Sequence, residues 1–163
     1  MPAGVSAFNR LGLTTQVSAA VTRAARRRAA PAKIGGIRLY TTARPLDAQK
    51  GIRPDERAAL EALRQLTRIP DTTPRAVLDR LNMLMRQEVL DFGRLAKFAR
   101  AEPPRVRALL GALGEELQHA HRGTRVPAEA LEALRKSLNP LTAFVVRGAR
   151  EALPHAAHAW RIK

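Results

Sequence analysis

The sequence predicts an α+β domain: an N-terminal helix and a small antiparallel sheet, then about five short helices, with the C-terminal residues returning to the sheet. Three observations carry that prediction. A chain of 163 residues with 45% hydrophobic content has room for one domain and can close one core. The run Ile34-Gly35-Gly36-Ile37-Arg38-Leu39-Tyr40-Thr41 places a Gly-Gly turn before an alternating strand. From residue 54 onward, Leu and Ala recur at helical spacing between charges of both signs. The expected organisation is a single domain over 1–163, with a basic helix-and-sheet part (1–46), a helical part (54–139) and an extended C-terminal segment (140–163).

Each element has its own signal. Val5, Ala7, Phe8 and Leu11 form a short helical stripe that Gly12 ends, and Gln16 to Thr22 mixes β-branched and small residues as a strand would. Arg26 to Lys33 lies between the strands; Pro31 and its like charges disfavour ladder pairing, so this stretch is expected to project as a loop. Pro54 opens a helix with Asp55 and Glu56 in its first turn and Leu60, Leu63 and Leu66 as its stripe. Thr73-Pro74 supplies a cap and a first helical residue for Val77, Leu78, Leu81, Leu84 and Met85. Asp91 caps a third helix with Phe92, Leu95 and Phe98 inward. Pro103-Pro104 opens a fourth with Val106, Leu109, Leu110, Leu113 and Leu117 on one face, and Pro127 a fifth through Leu131, Leu134 and Leu138 to Asn139-Pro140. Phe144-Val145-Val146 and Trp160-Arg161-Ile162 read as strand ends, with Trp160 a core anchor.

Charge divides the chain more sharply than structure does. The net charge is +15, and residues 1–46 hold eight of the 29 Lys and Arg but none of the 14 Asp and Glu. Such a chain seeks polyanions. The candidate nucleic-acid contacts are Arg23, Arg26, Arg27, Arg28, Lys33 and Arg38 along one sheet edge, with Arg105 and Arg107 at the start of the fourth helix as a second patch. No aromatic residue interrupts the arginine run, so backbone phosphates rather than stacked bases are the expected ligand.

Catalytic machinery is not expected. The hydroxyls near a turn, Thr14, Thr15 and Ser18, belong to no nucleophile elbow, and Gly35-Gly36 lacks the lysine and following helix of a phosphate loop. Glu115 and His119 stand four apart, and His155 and His158 three apart, but neither pair has a third ligand nearby. His121 beside Arg122 suits a helix-end cation, and Glu115-Glu116 solvated charge. No metal and no cofactor are predicted. Cysteine is absent, which excludes disulfides and thiolate chemistry and fits a reducing compartment. Apolar runs are far too short for a membrane span, so a soluble, cytoplasmic protein without a membrane partner is expected.

Several phrases together resemble one family: Pro2-Ala3-Gly4-Val5-Ser6-Ala7-Phe8-Asn9-Arg10-Leu11-Gly12-Leu13-Thr14-Thr15-Gln16-Val17, Ile34-Gly35-Gly36-Ile37-Arg38-Leu39, Glu102-Pro103-Pro104-Arg105-Val106-Arg107-Ala108-Leu109-Leu110-Gly111-Ala112-Leu113, and the ending from Leu138-Asn139-Pro140 to Trp160-Arg161-Ile162. In order and spacing they resemble the C-terminal antitoxin domain of AbiEi-type antitoxins and transcriptional regulators of type IV toxin–antitoxin systems. The resemblance implies a non-enzymatic bacterial regulator that counteracts a nucleotidyltransferase-like toxin, while weak binding of DNA or RNA through the basic loop is inferred from the loop's charge alone. In that family a winged helix-turn-helix normally precedes the domain; here Met1 directly precedes Pro2-Ala3-Gly4, so no operator contact through such a module is implied. The Arg- and Ala-rich stretch from Arg23 to Lys33 also departs from the family's usual turn.

A rival reading takes residues 1–41, Arg-rich and free of acids, as a mitochondrial presequence ahead of a basic helical subunit of a ribosome or respiratory assembly. A third takes the chain as an unrelated RNA-binding module.

Overall fold

A computed structural model describes residues 2–3, 5–15, 20–25, 27, 29–34, 37–43, 51–120 and 126–163. These residues are mostly helical, with a small strand-bearing part at the N-terminal end. The strands are β1 (Pro2–Ala3), β2 (Ala20–Ala25), β3 (Ala32–Ile34) and β4 (Ile37–Ala43); the helices are α1 (Val5–Arg10), α2 (Pro54–Arg64), α3 (Pro74–Arg86), α4 (Phe92–Ala99), α5 (Pro104–Ala120), α6 (Ala128–Lys136) and α7 (Ala149–Ala152).

The predicted helix starts are present where the sequence places them. The Thr73 hydroxyl accepts from the Ala76 amide at 3.2 Å, and the Asp91 carboxylate accepts from the Arg94 amide at 2.7 Å. Each satisfies one of the amide donors that a first helical turn leaves over. Gly12, at φ 68°, turns the chain out of α1 in a conformation that an L side chain resists. Helix α1 packs on α2, with Phe8 and Leu11 in the core, an Arg10–Asp55 ion pair of 2.6 Å, and Arg80 donating to the Leu11 carbonyl at 2.9 Å.

Two expectations about the strands are corrected. The sheet is mixed, in the order β1-β2-β4-β3, with β2 and β4 parallel rather than antiparallel. Ile34 pairs with Ile37 across the two glycines, so the expected hairpin is present, but its longer arm, β4, takes the central place and the short β3 is left at the edge. Edge placement suits β3, since Pro31 just before it lacks an amide donor and Lys33 discourages further pairing. The expected loop from Arg26 to Lys33 is correspondingly shorter, because Ala32 and Lys33 belong to β3. Gln16 to Ser18 and Gly35-Gly36 themselves lie outside the described residues.

The C-terminal segment does not return to that sheet. Phe144 and Ile162 instead form a bridge with each other: the Phe144 amide donates to the Arg161 carbonyl at 2.8 Å, and the Lys163 amide to the Phe144 carbonyl at 2.9 Å. The physical reason is Trp160, which lies over Gly111 of α5 so closely that a methyl group at residue 111 would sit 2.1 Å from the indole ring. Helix α5 is more deeply buried than a one-faced stripe predicts. Beyond the five expected residues, Ala108, Gly111, Ala112, Gly114 and Glu116 are also inside, with Phe92 of α4 over Gly114. One connected core runs from Ala7 to Ile162. In α6, by contrast, only Leu134 is fully buried, while Leu131 and Leu138 pack at the margin.

One buried carboxylate joins three segments. Glu56 accepts from the Arg53 amide at 2.8 Å, from Arg53 Nε at 2.9 Å, and from Arg94 Nε at 2.6 Å, while Arg94 also donates to the Gly51 carbonyl at 3.0 Å. Burial pushes its pKa up, but the hydrogen bonds from Arg94 and Arg53 outweigh this and hold it below the ordinary 4.5.

Two outcomes follow from this packing. Gly111→Ala improves helix propensity by about 1 kcal/mol, yet should lower stability by about 1–3 kcal/mol through overpacking against Trp160; a denaturation curve showing a gain would mean that the indole can move away. The folded Glu56 carboxyl binds its proton less readily than the unfolded one. Its contribution is therefore complete above the ordinary carboxylate value and is lost as pH falls through the lower folded value. Glu56→Gln should cost about 1–3 kcal/mol at neutral pH and flatten the acid limb of the stability curve. Identical acid limbs in the two proteins would assign that dependence to other carboxylates.

Candidate nucleic-acid interface

The strand pleat sorts the candidate cations into rows. Lys33 of β3 stands directly opposite Arg38 of β4, and Ala20 of β2 opposite Arg38 on the other side. Residues 33, 38 and 40 therefore share one face, and Lys33, Arg38 and Tyr40 are all exposed there. Arg23 pairs in register with Thr41, which puts position 23 in the alternate row. Arg27 is exposed in the connection that leaves β2; Arg26 and Arg28 lie outside the described residues.

Like charges directly opposite on neighbouring strands destabilise a sheet. The Lys33–Arg38 pair carries that repulsion with no acidic partner among the described residues. A bound anion between the two would relieve it. Tyr40, two residues beyond Arg38 on the same face, is the aromatic group that inspection of the arginine run alone misses; the period-two step from Arg38 to Tyr40 is the signal that finds it.

The second patch is built differently. Arg105 Nη2 donates to the Arg64 carbonyl at 3.0 Å, and Arg107 Nη1 to the Ser137 carbonyl at 2.7 Å. Both guanidiniums are half-buried at the C-terminal ends of helices, α2 and α6, where a cation complements the helix dipole. They tie α5 to its neighbours and are not grouped with the exposed strand cations.

The histidines and glutamates near the end of α5 also turn to structural use. Glu115 accepts from Trp160 Nε1 at 2.6 Å and from Arg135 Nη2 at 2.7 Å, with the Arg135 guanidinium 5.1 Å from the indole centroid. Glu116 is buried and accepts from the His155 and Ala156 amides, both at 3.1 Å, and contacts His155 Nδ1 at 2.7 Å. His119 stacks on His155 at 5.0 Å. Together they fasten the C-terminal segment onto α5. Between α5 and α6 they leave an open cavity of about 520 Å³ lined by Glu115, His119, Glu132 and Arg135. Among the described residues no group of three or more His, Asp or Glu could hold a metal, and no helix is long and apolar enough to cross a membrane. His121 lies outside the described residues.

No family model matches the chain, and neither a curated protein nor a solved structure matches it.

If the α5 carboxylates serve as fasteners, Glu116→Gln should loosen the C-terminal segment. Amide exchange at His155 and Ala156 should accelerate about tenfold or more, while exchange in α2 and α3 stays as it was. Unchanged exchange at those two amides would remove Glu116 from this role.

Proposed function

We propose that this protein is a non-enzymatic, antitoxin-like regulator whose N-terminal basic strands contact the phosphate backbone of a nucleic acid. The observation that carries the nucleic-acid part is the exposed, mutually repelling Lys33–Arg38 pair beside Tyr40, on a chain of net charge +15. Phosphates set between such cations release condensed counterions, so binding on this reading is salt-dependent and largely indifferent to sequence. The toxin-opposing part rests only on the phrases that resemble AbiEi-type domains, and the partner it implies is a nucleotidyltransferase-like toxin.

The packing of α1 favours this reading over the presequence one. Cleavage after residue 41 would remove Phe8 and Leu11 from the core and break the Arg10–Asp55 and Arg80–Leu11 contacts. A targeting peptide has no need of such integration.

The triple substitution Arg27→Ala, Lys33→Ala, Arg38→Ala tests the interface. Binding to duplex DNA and to structured RNA, measured across a salt series, should weaken, and the slope of log K against log salt should fall by about two to three for three lost phosphate contacts. Helical content should be unchanged. An unaltered slope would remove the strand face from the function.

A further inference from the structure

The C-terminal segment frames a second cationic surface, away from the candidate strand residues. A groove of about 630 Å³ is lined by the cations Arg150, Arg161 and Lys163 and by His158, together with Leu141, Ala143, Ala159 and Ile162, and no acidic side chain is among its lining residues. Arg150, Arg161 and Lys163 have no acidic partner among the described residues. The nearest acid in sequence, Glu151, faces Arg75 at 3.8 Å instead.

The frame beneath these cations is fixed. Arg161 is held at φ 54°, a left-handed conformation that costs a long side chain free energy. It is held there by buried neighbours, Trp160 and Ile162, by its carbonyl accepting from Phe144, and by its own amide donating to the His158 carbonyl at 3.1 Å. Lys163 is secured on both sides of the Phe144 bridge, its carbonyl accepting from the Val146 amide at 2.8 Å. A fixed backbone spares a ligand the cost of ordering the segment, although the exposed Arg and Lys side chains still lose rotamer freedom when they bind. Leu141, at 85% exposure, stands at the rim as an apolar contact with nothing over it.

We propose that this groove binds a small organic phosphate of about nucleotide size, its phosphate between Arg150, Arg161 and Lys163 and its less polar part against Leu141 and the exposed Ala143 and Ala159. The volume suits such a ligand, and guanidinium pairs suit phosphate oxygens. The site is independent of the strand face, and its test keeps the two apart.

The experiment is calorimetric titration of the full chain with adenosine monophosphate, inorganic phosphate and adenosine separately. Adenosine monophosphate should bind saturably, about tenfold or more tighter than either fragment. Arg150→Gln and Arg161→Asn should each weaken it about tenfold or more; asparagine is chosen at residue 161 because it tolerates the left-handed backbone. The strand-face variant Lys33→Ala, Arg38→Ala should bind it as the unaltered protein does. The proposal is overturned by absence of saturable binding, by phosphate binding as tightly as the nucleotide, or by variants of unchanged melting temperature that bind undiminished. It is equally overturned if the strand-face variant loses the nucleotide, since that would place the ligand on the sheet.

Discussion

The structure depends on how closely other groups approach α5. A helix buried on more than one face cannot present large side chains everywhere, and here Gly111 and Gly114 provide the two low points, one filled by the Trp160 indole and the other by the Phe92 ring. Ridges of leucine on either side pack into the neighbouring helices, while the glycines let whole aromatic rings lie against the backbone. The rest of the helical body is arranged so that those two rings arrive. Asp91 starts α4 at the residue before Phe92, and Glu115 anchors the Trp160 ring nitrogen.

Acidic residues are scarce in this chain, and of the four buried glutamates among the described residues, three (Glu56, Glu102 and Glu116) are at joints, the other being Glu61 within α2. Glu56 links the Arg53 turn and the first turn of α2 to α4; Glu102 pairs with Arg64 between the start of α5 and the end of α2; Glu116 holds the amides of His155 and Ala156. A carboxylate in the interior is tolerable only with several donors, and each of these has arginine, histidine or backbone groups around it. The consequence reaches the surface. With these carboxylates turned inward, Lys33 and Arg38 on the strand face and Arg150, Arg161 and Lys163 at the C-terminal groove have no acidic partner among the described residues.

Helix punctuation was legible because it is local. Thr73-Pro74, Asp91, Pro104 and Pro127 each act within one turn of chain, and their helices begin where those residues put them. Strand order was not legible, since a Gly-Gly turn specifies that β3 and β4 pair but says nothing of which arm meets β2. The destination of the C-terminal segment was misread for the same reason: Phe144 and Ile162 have strand character, but the choice of partner came from a glycine forty-nine residues before Trp160 in the chain. Among candidate contacts, charge identified the arginines without distinguishing Arg38, which is exposed on a strand, from Arg105 and Arg107, whose guanidiniums close the ends of α2 and α6. The separation depends on which carbonyls lie within reach, a property of the packed helices.

The two cationic surfaces ask different things of a ligand. The strand face carries its cations in rows set by the pleat, and on the proposed reading an extended anion lying along such a row is held by its charge in several registers. The C-terminal groove has exposed Leu141 among its cations and a backbone fixed by the Phe144 bridge. Exposed charges alone attract any anion and are screened together by salt. Discrimination begins where a second, uncharged contact is required at a fixed distance from the first. On the proposed reading the strand face offers Tyr40 beside its cations and the groove offers Leu141, so in each the uncharged contact rather than the charge separates one ligand from another.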